Sequence, residues 1–480
     1  MEMKRLAGLE PAAVFGYFEE ICAIPHGSRN TKMISDYLVA FAKQHDLKYI
    51  QDADHNVILF GEGTCGMEDH APVILQGHMD MVCEKDADCS IDMAVDGLDI
   101  AHDGSFVFAK GTTLGADNGI ALALAMAILA DKTIPHPPLE VIITTDEEIG
   151  LLGAASVDLS ALKGRTLINL DSEGEGVFTV SCAGGCTATI SLPVERRAVY
   201  GPCIRLVVDG LQGGHSGGDI HLNRGNANKI MGEFMSRIQK IMPLCLTSLA
   251  GGAKDNAIPR SCQATLVAMG IHLERINDIA QQLQDEVREN YNEPEAVIQA
   301  FDVDALGGNS LSTESTAKII GLLCAAPNSV QTWSKDIDGL VQTSLNMGVI
   351  KLGERFSATF SVRSSVNSEK VELLEQLKKL AEMFEGSYSE MGAYPAWEYK
   401  KESHLRDVMV ETYRNLFGKE PKVEAIHAGL ECGLFSEKIP NLDCISIGPQ
   451  MYDVHTSRER LSIASTERTW TFLLEVLKNL

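Results

Sequence analysis

The sequence predicts an α/β protein: a discontinuous domain with a mostly parallel mixed sheet between helices, plus an inserted α+β domain that looks internally duplicated. Three observations carry this. Short apolar, β-branched runs alternate with helical segments in the first part of the chain, the pattern of a largely parallel sheet. Each run passes directly into charged residues, and in such sheets functional groups gather beyond the carboxyl ends of strands. Between about residue 185 and residue 400 the character shifts to alternating strands and amphipathic helices, and then the first style returns.

Pro11 to Leu47 reads as helical, with a break at Pro25-His26-Gly27. Val73-Ile74-Leu75 is an apolar strand that ends in Gln76-Gly77-His78. Asn118 to Leu129 is an Ala/Leu/Ile-rich helix, and Leu139 to Thr145 and Thr166 to Leu170 are two further strands. In the middle region, Gly213-Gly214-His215-Ser216 precedes a helix at Asn226 to Ile238. Ala305-Leu306-Gly307-Gly308-Asn309-Ser310 precedes another at Thr313 to Leu323. The two stretches read as copies of one strand–helix–strand unit, at about 200–295 and 296–400. The tail continues with a helix at Leu405 to Phe417, the strand Cys444-Ile445-Ser446-Ile447, a loop bearing His455 and a terminal helix. Residues 1–184 and 401–480 are thus expected to form one domain, interrupted by 185–400.

A 45% hydrophobic, 22% charged composition is that of a globular protein, so disorder and fibrous repeats are excluded. With 66 acidic and 41 basic residues the formal charge is −25, and no local run supplies the cationic face a nucleic-acid partner needs. No uncharged apolar run approaches the roughly 20 residues of a membrane helix. The N-terminal stretch has no secretory h-region, so a cytoplasmic protein with reduced thiols is expected. Cys182 and Cys186 are four apart, but no second Cys/His pair lies near enough to complete a zinc site.

Chemistry concentrates at the strand ends. In Gly77-His78-Met79-Asp80 the two polar side chains share a face, and a carboxylate beside an imidazole can orient it as a metal ligand. Asp117, in Gly115-Ala116-Asp117-Asn118-Gly119, is either a helix cap or a carboxylate held where it can bridge two cations. Asp146-Glu147-Glu148 places three mutually repelling carboxylates after a buried strand, either as a solvated loop or as a metal ligand beside a general base. Asp171 and His455 come after two further strands. His78, Asp117, Glu148, Asp171 and His455 therefore lie on one edge of one sheet. Two imidazoles and three carboxylates suit two divalent ions with a shared bridge, leaving about one positive charge to activate water.

The order Gly-His-Met-Asp, Gly-Ala-Asp-Asn-Gly, Thr-Asp-Glu-Glu-Ile-Gly, Asn-Leu-Asp and a late His resembles the dinuclear-zinc peptidases that include carnosinases and aminoacylases. The resemblance covers the whole chain. Gly77–Val82, Gly214–Gly218 and His427-Ala428-Gly429-Leu430-Glu431-Cys432-Gly433 are most similar to the aminoacyl-histidine (Xaa-His) and cytosol non-specific dipeptidases. It implies two zinc ions per chain, with cobalt or manganese as possible substitutes. Asp117 would bridge them, with His78 and Asp171 completing one site and Glu148 and His455 the other. It also implies a cis peptide between Asp117 and Asn118, Glu147 as general base and Asp80 as the group orienting His78. Asp rather than Glu at position 171 is what family members that act beside a free amino terminus carry.

The inserted domain resembles the family's lid. His215 matches a histidine that contacts the scissile carbonyl oxygen, and Asn256, Asn346 and Arg363 match positions that bind the substrate carboxylate. Glu431 could line the same pocket. One-lid relatives form dimers in which the partner donates the lid histidine. Here the duplicated lid, with Asn309 where the first copy has His215, implies that His215 acts within its own chain, whether or not a homodimer forms. The expected activity is hydrolysis of dipeptides with a free amino terminus, Xaa-His among them. The rival readings are an N-acyl amino-acid deacylase and a non-catalytic peptide-binding relative. A nucleotide-dependent dehydrogenase is disfavoured because no Gly-x-Gly-x-x-Gly comes after the early strands.

Overall fold

The computed structural model describes residues 5–268, 273–304 and 307–480. The chain divides into two compact units. The first comprises Met1–Cys182, Tyr399–Ala425 and Leu430–Leu480, and the second Ala183–Glu398 with Ile426–Gly429. The four-residue segment Ile426–Gly429 belongs to the second unit, a return that the expected boundary at residue 401 misses.

The first unit is built on an eight-stranded sheet. Its order is Lys48–Gln51, Val57–Gly61, Leu139–Thr144, Val73–His78, Thr166–Asn169, Asp443–Ser446, Val177–Cys182, Lys422–Ile426. The four central strands run parallel, whereas Lys48–Gln51, Val57–Gly61 and Val177–Cys182 join the sheet through antiparallel pairings. Buried on both faces, Val73–His78 and Leu139–Thr144 have no exposed residue, as central parallel strands require.

The helix Ala116–Ala130 is buried along almost its whole length. It packs on the helix Ala12–Cys22, where a side chain at Gly119 would meet Ile21 and Phe18. It also packs on the central strand Val73–His78. A Cβ at Gly77 would run into Asn118 Oδ1 and Ala121, so glycine there lets the helix start close against the strand that carries His78. The chain between the first two helices, Ala12–Cys22 and Lys32–Gln44, breaks at Pro25-His26-Gly27 as the sequence suggests. Among the described residues no helix is long and apolar enough to cross a membrane. All twelve cysteines are free, and Cys182 and Cys186 are buried in strands.

The second unit is a nine-stranded antiparallel sheet backed by helices. The main path runs Val297–Val303, Cys203–Asp209, Cys262–Ala268, Leu244–Gly251, Val341–Leu352, Arg355–Ser364, Gly184–Pro193, Ser387–Tyr394. This order reads the same from either end. In chain order the first half is strand, helix, strand, strand, helix, strand, starting at Cys203 and ending at Val303. The second half repeats that series, but its first strand is Gly184–Pro193, ahead of the whole first half. The second strands of the two halves pair antiparallel at the centre, Gly251 against Ile350. Met231, Phe234 and Ile238 of one half and Ile319, Leu323, Leu373 and Leu377 of the other share one apolar core over the sheet.

The expected second copy, at 296–400, is therefore corrected: its opening strand lies before residue 200. Gly307–Leu311 instead pairs with Arg196–Tyr200 in a separate ribbon, Asn309 facing Ala198. Gly214–His215 pairs with Ala257–Ile258, so Asn309 has a different setting from His215. Ala305 and Leu306 of the second Gly-Gly motif lie outside the described residues.

Candidate metal centre

Three adjacent strands deliver the first residues. Val73–His78 ends in His78, Thr166–Asn169 runs on to Asp171, and Leu139–Thr144 leads into Asp146-Glu147-Glu148. His78 is fully buried. Its Nδ1 bonds the backbone carbonyl of Asp80 at 2.9 Å, with the Asp80 carboxylate 3.4 Å away. That contact leaves Nε2 for the interior of the site, where it lies 3.1 Å from Asp117 Oδ1 and 3.4 Å from Asp171 Oδ1. On the other side, His455 Nε2 lies 3.2 Å from Asp117 Oδ2 and 2.9 Å from Glu148 Oε1.

The two oxygens of Asp117 thus face two different groups: His78 with Asp171, and His455 with Glu148. His78, Asp117 and Glu148 offer donor atoms that all lie within 4.8 Å of one another. The peptide bond from Asp117 to Asn118 is cis. Asn118 is an internal brace, its Oδ1 accepting from the His78 N–H and its Nδ2 donating to the Leu170 carbonyl.

Asp80 does more than orient His78. Its carboxylate accepts from Ser28 Oγ at 2.8 Å and from the backbone N–H of Glu147 at 3.0 Å, so one residue fixes both the imidazole and the start of the Glu147–Glu148 turn. Asp146 enters that turn in the left-handed region, φ 53°, with its carboxylate accepting from the Arg29 N–H.

The electrostatics record the crowding. Burial, reinforced by Asp171, Glu431 and Glu148, pushes the Glu147 carboxyl up to about 9. Burial also lifts Asp171 to about 7, aided by Asp117 and Glu148. His455 rises to about 10 because Asp117 and Glu148 hydrogen-bond it. His78 is raised too, its carboxylate neighbours outweighing a large burial penalty. So much buried negative charge is stable only beside cations. The donor set, two imidazoles and three carboxylates converging from two sides of Asp117, therefore fits a pair of divalent ions.

One residue at this centre escaped sequence reasoning. Glu459 is 2% exposed, and its carboxylate accepts from four successive backbone N–H groups, Leu114, Gly115, Ala116 and Asp117, at 2.8, 3.1, 2.8 and 3.3 Å. It lies four residues after His455 and ties that loop to the segment that presents Asp117. Gly115 adopts φ 69° there, a conformation suited to glycine. The available signal was an acid two residues before the apolar Leu461, which by itself reads as an ordinary loop residue.

The second unit has a polar cluster of its own. His215 is exposed, and its Nδ1 accepts from the N–H groups of Gly217 and Gly218 at 3.2 and 3.0 Å. A neutral ring must then carry its proton on Nε2, which makes that atom a donor. Arg363 donates from Nη1 to the Tyr394 hydroxyl, while its buried Nε has no partner among the described residues. His427 Nε2 lies 2.7 Å from Ser344 Oγ, and burial, with Arg363 nearby, drives its pKa down to about 3. Gly217 sits among them: a Cβ there would come within 3.3 Å of Arg363 Nε and 3.1 Å of His215 Cε1.

Asn256 is exposed, and its carbonyl accepts from Ser216 N–H beside His215. Asn346 differs from expectation. It is 1% exposed, both amide hydrogens go to the carbonyls of Asp255 and Ala257, and its oxygen accepts from Asn226. With both donors used, it braces the loop before Ala257 and has none left for a carboxylate. Glu431 also differs from expectation: it is wholly buried, within the first unit.

Known proteins resemble this chain over its whole length. The profile of Peptidase family M20/M25/M40 matches residues 74–479. The cytosol non-specific dipeptidase of Escherichia coli is 37% identical over 483 aligned residues, covering 100% of this chain and 99% of that protein. The aminoacylhistidine dipeptidase structure from Vibrio alginolyticus superposes with a TM-score of 0.94 at 34% identity, covering 99% of this chain and 98% of that one. A Bacillus cereus aminopeptidase structure shares the fold alone, with a TM-score of 0.57 and 13% identity over 98% of each chain. A family profile spanning most of the chain and a relative matched end to end make the protein a member of peptidase family M20/M25/M40.

Proposed function

We propose that this peptidase hydrolyses dipeptides with a free amino terminus, Xaa-His dipeptides among them, in the cytoplasm and with two zinc ions. One observation carries the reading: Asp117 turns one oxygen to His78, which also faces Asp171, and the other to His455, which also faces Glu148. The names of the Escherichia coli and Vibrio alginolyticus relatives support the substrate class. His78 and Asp171 would hold one ion, Glu148 and His455 the other, and Asp117 both. When bound, two such ions acidify water and polarise a carbonyl.

The remaining work falls to the chain. The Glu147 carboxylate takes the proton of the attacking water and delivers it to the departing amine nitrogen. Asp80 keeps Glu147 and His78 in register through its carboxylate and its carbonyl. We assign catalysis to the first unit and a lid function to the second. In the lid, the Nε2–H of His215 stabilises negative charge developing on the carbonyl oxygen. Arg363 and Asn256 take the substrate carboxylate, and the left-over Nε of Arg363 gives that residue a free donor for it.

Substrate class is checked with the zinc-loaded protein and a dipeptide panel. β-Ala-His and other Xaa-His peptides are expected to be cleaved, and N-acetyl-His to be left intact. Turnover of N-acetyl-His without turnover of β-Ala-His makes the protein a deacylase instead. Two bound zinc ions with no turnover of any dipeptide make it a binding protein. Within this reading His215 serves its own chain. Mixing a His215→Ala chain with a Glu147→Ala chain is then expected to restore nothing. Recovered activity in the mixture means that His215 is donated between copies.

A further inference from the structure

Beneath the proposed metal centre lies a buried polar ladder that the mechanism above does not use. Glu431 Oε2 accepts from Thr144 Oγ1 at 2.7 Å and from Gln76 Nε2 at 2.5 Å. Gln76 Oε1 in turn accepts from Asn169 Nδ2 at 2.5 Å. All four side chains are at most 1% exposed. Their places on the sheet are specific. Gln76 and Asn169 face each other on neighbouring strands, each two residues before a candidate ligand, His78 and Asp171. Thr144 is paired with His78 itself and stands just before the Asp146–Glu148 turn. A single carboxylate therefore holds, directly or through Gln76, the carboxyl ends of all three central strands that present the site.

This is an expensive way to fill an interior. An apolar residue of similar volume would avoid the desolvation that burial imposes on Glu431, whose carboxyl is pushed up to about 7. The ladder is also incomplete, since Glu431 Oε1 and Asn169 Oδ1 have no partner among the described residues. A purely structural core would be expected to satisfy or remove both atoms. A group that is kept at such cost, directly under the ligands, is better explained by what it positions.

We propose that Glu431 is a positioning residue of the metal centre, which through its hydrogen bonds to Gln76 and Thr144 sets the spacing of His78 and the Glu147–Glu148 turn. The proposal rests on the two-metal reading of the site. Groups bonded directly to metal ligands change metal affinity by about 10- to 100-fold when removed, and Glu431, which acts through Gln76 and Thr144, belongs at the lower end of that range. Glu431→Ala is accordingly expected to weaken zinc binding by about 10-fold or more and to lower kcat, with KM little changed. Glu431→Gln keeps an oxygen where both donors need one and is expected to restore zinc affinity and kcat to within about threefold of the parent, since a neutral hydrogen bond replaces a charged one at modest cost.

The experiment is a zinc titration by calorimetry of the parent protein and both variants, with kcat and KM on one dipeptide and thermal unfolding of the metal-free chains. If Gln is as impaired as Ala, the charge of Glu431 and not its hydrogen bonds matters, and the proposal fails. If Ala lowers the unfolding temperature alone, with zinc affinity and kcat at parental values, Glu431 is only structural and the proposal fails as well. If the parent itself does not take up two zinc ions, the metal-centre reading falls first, and the parental titration reveals this independently of either variant.

Discussion

Glu147→Gln is expected to lower kcat by about 10²- to 10⁴-fold, the usual worth of a general base, with metal uptake unchanged from the parent. The substitution preserves shape and removes only the proton acceptor. Glu147 itself is held by its backbone N–H on Asp80, a contact that the side-chain change leaves untouched. None of the five candidate ligands is altered, so zinc titration should match the parent protein. KM should change little, because the lost interaction belongs to proton transfer and not to ground-state binding. The measurement is steady-state kinetics on a good dipeptide beside a zinc titration. Near-parental kcat with full metal would remove Glu147 from the mechanism. Loss of zinc with loss of activity would make it a ligand instead.

Glu459→Ala is expected to be the most damaging change away from the ligands themselves. It deletes the acceptor of four consecutive backbone N–H groups at the segment that presents Asp117. Each buried donor left unpaired costs about 1–3 kcal/mol, although water entering the vacated space recovers part of it. A net loss of about 3–5 kcal/mol is expected, the range for breaking a buried charged network. The damage should also reach function, since the same clamp joins the His455 loop to Asp117. Denaturant unfolding gives the first number and zinc titration the second. A loss of stability below about 1 kcal/mol would mean that the loop finds other partners, an ordinary result for a surface substitution and not for a four-donor clamp.

The parts of the site that could be read from sequence are those governed by short-range pattern. Val73–His78, Leu139–Thr144 and Thr166–Asn169 announce themselves as apolar runs, and the residues immediately after a buried strand fall at the sheet's edge by geometry alone. His78, Asp117, Glu148, Asp171 and His455 are consequently brought together from segments that span most of the chain. What stayed hidden depends on partners far away in sequence. Glu459 has meaning only against Leu114 to Asp117, more than three hundred residues earlier. Asn346 looks like a free amide until Asn226, Asp255 and Ala257 are seen to consume it. Gly184–Pro193 could not be joined to the second half of its sheet, because the strand it needs, Arg355–Ser364, comes after the entire first half. Local periodicity has no access to pairings of that separation.

That nested strand has a consequence for how the chain comes into being. Cys203 to Val303 contains every strand and helix of the first half and can close its four strands as soon as it has left the ribosome. Gly184–Pro193 is synthesised earlier but stays an open edge until Arg355–Ser364 arrives to pair with it. The half whose first strand is made earliest is thus completed last: the inner parenthesis shuts before the outer one. Such long-range closure is slow, and it leaves an unpaired strand exposed in the interval. The alternation of Thr187, Thr189 and Ser191 with buried Ala188, Ile190 and Leu192 gives that waiting strand one hydroxyl-bearing face, which keeps half of it compatible with water until its partner is made.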